Sequence, residues 1–242
     1  MYAFPRTADA DARLWAGVRD RLRRFSISAP ESLTPAPRDL LAHWTELDLV
    51  LSQTCGRPFK EHLLDKVQLV GTPDYGLANC PPGYYRSLVV ARVDDTRQAL
   101  SSFATARFAV NEPGSQSGWA ALAAEVPEVL AGTKVGTGSH RASVLAVRSN
   151  AADFAAIDAV TWRHLAAAGD TMDLRIIHRT EPRPGLPYIT SLSQDAGLIR
   201  DALGAAITAL SGTDRDVLGL RGLVDISVDA YRALPDPEAS AI

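Results

Sequence analysis

The pattern of apolar and polar positions along the chain predicts an alternation of helices and strands. Between residues 8 and 25, apolar side chains recur at helical spacing, while Arg and Asp residues fall mostly on the other faces. Short apolar runs elsewhere predict strands. The strand candidates lie at residues 2–4, 47–51, 67–71, 84–92, 107–110, 134–137, 154–157, 174–179 and 223–226. Strands separated by helical segments are typical of an α/β protein with mostly parallel sheets.

The same alternation occurs on both sides of Arg92, which predicts two units. A Pro-rich, irregular segment at residues 180–188 is typical of a chain that passes from one lobe to another. We therefore predict two α/β lobes, each a mostly parallel sheet flanked by helices. Lobe 1 comprises residues 1–92 and 178–242, and lobe 2 comprises residues 93–177.

The segment from Asn111 to Trp119 joins a predicted strand to a predicted helix. Its Pro-Gly pair forces a turn, and Ser115 is a good N-cap. Ser117 and Gly118 then fall in the first helical turn, where backbone N–H groups have no partner within the helix. Free N–H groups, hydroxyls and the positive end of a helix dipole together predict an oxyanion site, although a capped helix without a ligand is equally typical of such a pattern.

Two later strand ends also carry polar groups. Ser139 and His140 follow the strand candidate at 134–137, with Ser139 placed to cap the next helix, and Asp158 follows the strand at 154–157. In an open α/β sheet, ligands bind at the carboxyl ends of strands. The polar run Ser-Gln-Thr-Cys at residues 52–55 occupies the corresponding place in the first lobe.

The residues at these strand ends do not form a known catalytic motif. Ser117, His140 and Asp158 supply the residue types of a hydrolase triad, but Gln116 stands where a nucleophile elbow needs Ser, and a phosphate loop would need a Lys that is missing. His140 has no second His or Cys at metal-ligand spacing. We therefore predict no enzyme activity, no metal and no cofactor.

Composition excludes further classes of function. The 242 residues carry a net charge of −3, which argues against nucleic acid or an anionic membrane surface as the main partner. No apolar run approaches the roughly 20 residues that span a bilayer, so we predict no membrane insertion. Residues 1–6 lack the features of a secretory signal, so the protein is cytoplasmic unless a leader has been removed. Cys55 and Cys80 could be two thiols or one disulfide.

Several of these segments resemble the substrate-binding components of phosphate, phosphite and phosphonate ABC transporters. The matching pieces occur in family order over about residues 1 to 190. They are Leu51-Ser-Gln-Thr-Cys-Gly56, Tyr85-Arg-Ser87, Ser115-Gln-Ser-Gly118, Gly138-Ser-His-Arg-Ala-Ser143, Ala156-Ile-Asp158 and Leu186-Pro-Tyr188. The resemblance implies a type II periplasmic-binding-protein fold with a ligand cleft between two lobes.

The resemblance also implies roles for individual residues. The Ser-Gln-Ser-Gly turn would cradle the oxyanion, His140 would donate a further hydrogen bond, and Asp158 would accept a proton from the ligand. The run from residue 52 to residue 54 would close from the other lobe. The predicted ligand-binding residues are Tyr2, Ser52, Gln53, Thr54, Ser115, Gln116, Ser117, Gly118, Ser139, His140, Asp158 and Tyr188.

The function implied by the resemblance is capture of a phosphate, phosphite or phosphonate ion for ABC-type uptake. The ligand is then a small oxyanion, the partner is a transporter permease, and the location is periplasmic or otherwise extracytoplasmic if a leader was removed. The alternative is a cytoplasmic module of the same fold that senses its ligand. A hydrolase that uses Ser117, His140 and Asp158 is a less favoured alternative.

Overall fold

The computed structural model describes residues 2–35 and 37–236. Its α-helices are α1 Ala8–Arg24, α2 Leu40–Trp44, α3 Gly56–Pro58, α4 Ala121–Glu125, α5 His140–Arg148, α6 Ala159–Ala167, α7 Ala196–Ala209, α8 Gly212–Leu218 and α9 Val228–Arg232. Short 3-10 segments lie at Pro5–Thr7, Leu100–Phe103 and Pro127–Ala131, and π-helical segments lie at Phe59–Leu63 and Gln116–Ala120.

The strands are short and most are apolar. They are β1 Ser52–Gln53, β2 Val67–Asp74, β3 Tyr84–Tyr85, β4 Ser87–Arg92, β5 Phe108–Val110, β6 Lys134–Gly136, β7 Phe154–Asp158, β8 Leu174–Arg179, β9 Arg183–Pro184, β10 Tyr188–Ser191 and β11 Gly222–Val224.

The chain folds into two compact units. Within the described residues, unit 1 comprises residues 2–84 and 184–233, and unit 2 comprises residues 85–183 and 234–236. Residues 237–242, which the sequence predicts to belong to the first lobe, lie outside the described residues.

Unit 1 is built on a sheet with the strand order β1-β10-β2-β11. The apolar stripe of α1, with Leu14, Val18 and Leu22, packs with α7 in one core cluster, to which Ile199 and Leu203 belong. The amphipathic helix predicted from the spacing of apolar residues between 8 and 25 is thus confirmed as α1.

Unit 2 is built on a sheet with the order β6-β5-β7-β4-β8. Strand β5 runs parallel to both β6 and β7, whereas β4 runs antiparallel to β7 and β8. Aromatic rings fill its core: Phe108 stacks on Phe154 with centroids 4.7 Å apart and on Trp119 with centroids 6.0 Å apart. This core fixes the ends of β5 and β7 where the candidate site lies.

The prediction of mostly parallel sheets is wrong for the strand pairs that the structure describes in unit 1. Every such pair there is antiparallel, because β10 lies between β1 and β2 and β11 lies beside β2. Both inserted strands come from the last third of the chain. An alternation of strands and helices along the sequence does not predict that strands so distant in sequence will pair with β1 and β2.

Two predicted strands are absent among the described residues, and one belongs elsewhere. Residues 2–4 form no strand, and residues 47–51 begin with a turn in which Leu47 is 88% exposed. Strand β4, placed in lobe 1 by the sequence analysis, pairs instead within unit 2, where its residues 87–91 lie opposite β7. The chain therefore enters unit 2 at Tyr85, before β4.

Candidate ligand-binding site

Three strand ends of unit 2 lie at one edge of its sheet. Strands β5, β6 and β7 are parallel, so their carboxyl ends point the same way. Each is followed by a helical segment whose first turn is capped by a polar side chain. The caps are Ser115 and Ser139, which the sequence predicts to be caps, and Asp158. We call this the cradle edge.

The turn after β5 is held tightly. Ser115 Oγ accepts a hydrogen bond of 2.9 Å from the N–H of Gly118, and the N–H of Ala120 reaches back to the Ser115 carbonyl at 3.1 Å, which gives the segment its π-helical pitch. A Cβ atom at residue 118 would lie 1.6 Å from Asn111 Oδ1. Any larger residue at position 118 would therefore displace the Asn111 side chain.

Gln116 is the least satisfied polar side chain at the cradle edge. The residue is 0% exposed, and within the described part of the chain neither Oε1 nor Nε2 of its amide has a hydrogen-bond partner. A buried amide without partners costs about 1–3 kcal/mol, and native proteins rarely retain one without a reason. Both a donor and an acceptor are thus available at this turn.

Ser117 and His140 form the contact between two of the capped turns. Ser117 Oγ lies 2.9 Å from His140 Nε2. Burial lowers the pKa of His140 to about 4, and the backbone of Ala156 partly opposes this shift. The imidazole is therefore neutral at neutral pH, so the pair brings a hydroxyl and an uncharged ring to the cradle edge.

Asp158 acts as a helix cap in the structure. The residue is 2% exposed, and its Oδ1 accepts a hydrogen bond of 2.8 Å from the N–H of Thr161. In the sheet it lies opposite Ser87 of β4. The structure thus shows a capping role for Asp158, while proton acceptance from a ligand stays a prediction.

The predicted residues at 52–54 lie in unit 1 and already have partners there. Gln53 lies opposite Tyr188 in the β1–β10 pair, and its Nε2 donates to the Leu186 carbonyl at 3.0 Å. The Thr54 N–H donates to the Pro187 carbonyl at 3.1 Å, and Ser52 pairs with Ile189. These contacts fix β1 against the segment that leads into β10.

The two predicted tyrosines belong to a second cluster in unit 1. The ring of Tyr2 packs edge-on against Tyr75 with centroids 5.2 Å apart. Burial raises the pKa of Tyr188, with a smaller contribution from the charge of Asp11, while a hydrogen bond with Tyr75 opposes the shift. Tyr75 thus connects Tyr2 to Tyr188, and no local feature of the sequence predicts this connection.

The sequence of residues 65–232 matches the family of ABC transporter, phosphonate, periplasmic substrate-binding proteins. A comparison with curated protein sequences found no match. Solved structures with similar folds include a protein from Xanthomonas citri bound to ATP, with 18% identity over 94% of this chain and 90% of that chain and a TM-score of 0.71.

Two further structures carry phosphonate in their descriptions. PhnD1 from Prochlorococcus marinus, in complex with methylphosphonate, is 14% identical over 91% of this chain and 87% of its own, with a TM-score of 0.71. A binding protein component of an ABC phosphonate transporter from Pseudomonas aeruginosa is 16% identical over 90% of this chain and 77% of its own, with a TM-score of 0.64.

These comparisons define the class of protein and then its family. The chain has the two-lobed periplasmic-binding-protein fold. It belongs to the phosphonate-type substrate-binding proteins of ABC transporters, whose members bind a small molecule and are not enzymes. The contact between Ser117 and His140, which would suit a nucleophile and its base, is therefore given no catalytic role.

Other observations limit what accompanies this fold. Across residues 2–35 and 37–236, no helix combines the length and apolarity needed to cross a membrane. Cys55 and Cys80 are not joined by a disulfide in the structure.

Proposed function

We propose that this chain captures a small tetrahedral phosphorus oxyanion, namely phosphate, phosphite or a phosphonate, and delivers it to the permease of an ABC transporter. The anion is held at the cradle edge by Ser115, Gln116, Ser117, Gly118, Ser139, His140 and Asp158. The protein works outside the cytoplasm, as the periplasmic character of its family implies.

The buried amide of Gln116 carries this proposal. Its two polar atoms have no partner among the described residues, yet they lie in the first turn of a helical segment next to the contact between Ser117 and His140. An oxyanion supplies acceptors for Nε2 and for backbone N–H groups, and a protonated oxygen on the ligand supplies a donor for Oε1. Binding thereby removes the cost of a buried unsatisfied group.

The chemistry of the edge favours an anion that still carries a proton. The contributing side chains are hydroxyls, an amide, a neutral imidazole and a carboxylate, with no Lys or Arg among them. A carboxylate at Asp158 repels a fully ionised ligand and accepts a proton from a partly ionised one. The methylphosphonate complex of PhnD1 is consistent with a ligand of this kind.

The residues of unit 1 remain predicted ligand contacts. They are Tyr2, Ser52, Gln53, Thr54 and Tyr188, and the resemblance to the family motivates each of them. Alanine or phenylalanine variants of these positions should weaken binding of the same ligand. A variant that leaves affinity unchanged would remove its residue from the site.

Calorimetry on the purified protein with phosphate, phosphite and methylphosphonate tests the proposal. We expect at least one ligand to bind more tightly than about 1 mM. Ser117→Ala should weaken that binding about tenfold, because a hydrogen bond to a charged ligand is lost. Ser149→Ala is the matched control, since Ser149 lies at the other end of α5 and its hydroxyl donates to the Ala146 carbonyl there.

The proposal would be contradicted if the folded wild-type protein bound none of the three anions at millimolar concentration. Equal losses in Ser117→Ala and Ser149→Ala would show that the ligand binds elsewhere.

A further inference from the structure

Ser87 contacts the turn at Ser117 on the cradle edge, although it is not one of the predicted ligand-binding residues. It is the first residue of β4, it is 0% exposed, and its Oγ donates a hydrogen bond of 2.7 Å to the carbonyl of Ser117. The carbonyl belongs to the same residue whose hydroxyl contacts His140 at 2.9 Å. Ser87 thus fixes the backbone of the turn from which the predicted donors project.

Ser87 also lies where the chain enters and leaves unit 2. The unit begins at Tyr85 and its main segment ends at Arg183. Between these ends, the Ser87 N–H donates to Thr180 Oγ1 at 2.9 Å, and the Thr180 N–H donates to the Ser87 carbonyl at 3.0 Å. Thr180 is fully buried as well. The two segments that connect the units are therefore bonded to each other at Ser87.

We propose that Ser87 is a positioning residue for ligand binding, which ties both connecting segments to the anion-binding turn through the Ser117 carbonyl. This inference rests on the proposed function, because the turn is taken to hold the anion. Ser87 does not contact the ligand in this account. Its effect is transmitted through Ser117.

The physical reason is the short reach of a hydrogen bond. A displacement of β4 by about 1 Å lengthens a 2.7 Å bond beyond hydrogen-bonding range and leaves a buried carbonyl unpaired. The turn at 116–118 then loses the contact that orients its N–H groups and the Ser117 hydroxyl. Ligand affinity consequently depends on where the connecting segments lie.

Ser87→Ala tests this with two measurements. In the ligand-free protein, backbone amides of residues 116–119 should exchange hydrogen at least about tenfold faster than in the wild type. By calorimetry, methylphosphonate should bind about fivefold to tenfold more weakly, the value typical of one lost hydrogen bond. In the double variant with Ser117→Ala, the two fold-losses should combine to less than their product, because the residues act through one contact.

Three further variants make the test specific. Ser191→Ala, a buried strand serine of unit 1 bonded to Ser193, is the matched control and should leave both measurements unchanged. Thr180→Val should shift both in the same direction as Ser87→Ala, but less. If Ser87→Ala does not fold, Ser87→Cys replaces it, since a thiol is a weak donor of similar size.

Wild-type exchange at residues 116–119 in a folded Ser87 variant would overturn the inference, as would strictly multiplicative losses in the double variant. Wild-type amide exchange and wild-type affinity in Thr180→Val would overturn the link to the connecting segments. If the wild type binds no phosphorus oxyanion, the proposed function fails, while the exchange measurement without ligand still decides the role of Ser87.

Discussion

At the amino-terminal edge of the unit 2 sheet, charged groups are paired with one another. Asp153 precedes β7 and Arg107 precedes β5, and their side chains meet at 3.0 Å, while Arg97 bonds Asp95 at 2.5 Å and lies 3.4 Å from Asp153. At the cradle edge of the same sheet, the groups are mostly uncharged, and Gln116 is buried without a partner in the described residues. The polar groups at the amino-terminal edge thus have partners within the protein, whereas the Gln116 amide at the cradle edge has none among the described residues.

The difference separates groups that stabilise the fold from the groups to which we assign ligand binding. Burial raises the pKa of Asp153, but hydrogen bonds and the charges of Arg107 and Arg97 more than offset this and bring it to about 2. Burial lowers the pKa of His140 at the cradle edge and so favours the neutral form, and no charged group among the described residues offsets this shift. Evolution can retain an unsatisfied polar group that destabilises the fold when that group contributes to binding.

The largest effect that we expect is discrimination between ligands at the cradle edge. Sulfate is fully ionised at neutral pH and cannot donate a hydrogen bond to Asp158, whereas hydrogen phosphate or a protonated phosphonate can. Sulfate should bind at least about a hundredfold more weakly than the best phosphorus oxyanion, or about 2.7 kcal/mol. Asp158→Asn should narrow this ratio, because an amide can donate to a bare oxygen. Calorimetric competition measures both, and an equal affinity for the two anions would remove Asp158 from the ligand site.

The second prediction is a pair of effects with opposite signs. Gln116→Met should weaken binding by roughly 2 kcal/mol, about thirtyfold, and should raise the stability of the ligand-free protein by about 1 kcal/mol, because a buried unsatisfied amide is removed. Gln68→Met is the matched control. Its Nε2 is satisfied by the carbonyls of Ser191 and Gln194, so stability should fall and affinity should not change. A destabilised Gln116→Met would mean that its amide serves the fold.

The third prediction concerns the pH dependence of stability at the cradle edge. The folded-state pKa of His140 is about 4, below its ordinary value of 6.5, so the unfolded chain binds the proton more readily. Stability is thus highest above pH 6.5 and is lost as the pH falls toward 4. Between pH 7 and pH 5 this group should account for about 2 kcal/mol. Urea denaturation of wild type and His140→Gln at both pH values measures it, and parallel losses in the two proteins would contradict the shift.

The smallest effect should occur at the opposite edge. Asp153 has a folded-state pKa of about 2 against 3.8, so it stabilises the fold above pH 3.8 and loses this contribution as the pH falls toward 2. Asp153→Asn should lower the unfolding free energy at pH 7 by about 1–2 kcal/mol, since the partners are partly solvated. Ligand affinity should stay within twofold of the wild type. A large loss of affinity would mean that the two edges are coupled.

Local signals in the sequence predicted the cradle edge well. Helix α5 begins at His140, directly after the predicted cap Ser139, because a polar cap followed by an apolar-periodic run is a purely local pattern. The predicted turn at Ser115 has the same origin. Fold and family were also predicted correctly, since the Ser-Gln-Ser-Gly and Gly-Ser-His motifs are short and contiguous.

Long-range pairings were not predictable in this way. The antiparallel sheet of unit 1 depends on β10 and β11, which arrive more than a hundred residues after β2. The bond from Ser87 to Ser117 spans 30 residues, and although Ser87 belongs to the Tyr85-Arg-Ser87 segment of the resemblance, that segment does not predict its partner. The strand prediction at 47–51 is wrong because hydrophobicity alone does not distinguish a strand from a turn, here one in which Leu47 is exposed.

A titration of the ¹⁵N-labelled protein with methylphosphonate, followed by amide NMR, tests the central claim most directly. Hydrogen bonds from backbone N–H groups to the anion should shift the amide resonances of residues 116–118 and of the first turns of α5 and α6. The amide resonances of residues beside Arg107 and Asp153 should not shift. Saturable shifts at that opposite edge without any at residues 116–118, or no saturable shift at all in the millimolar range, would contradict the assignment of the cradle edge as the anion site.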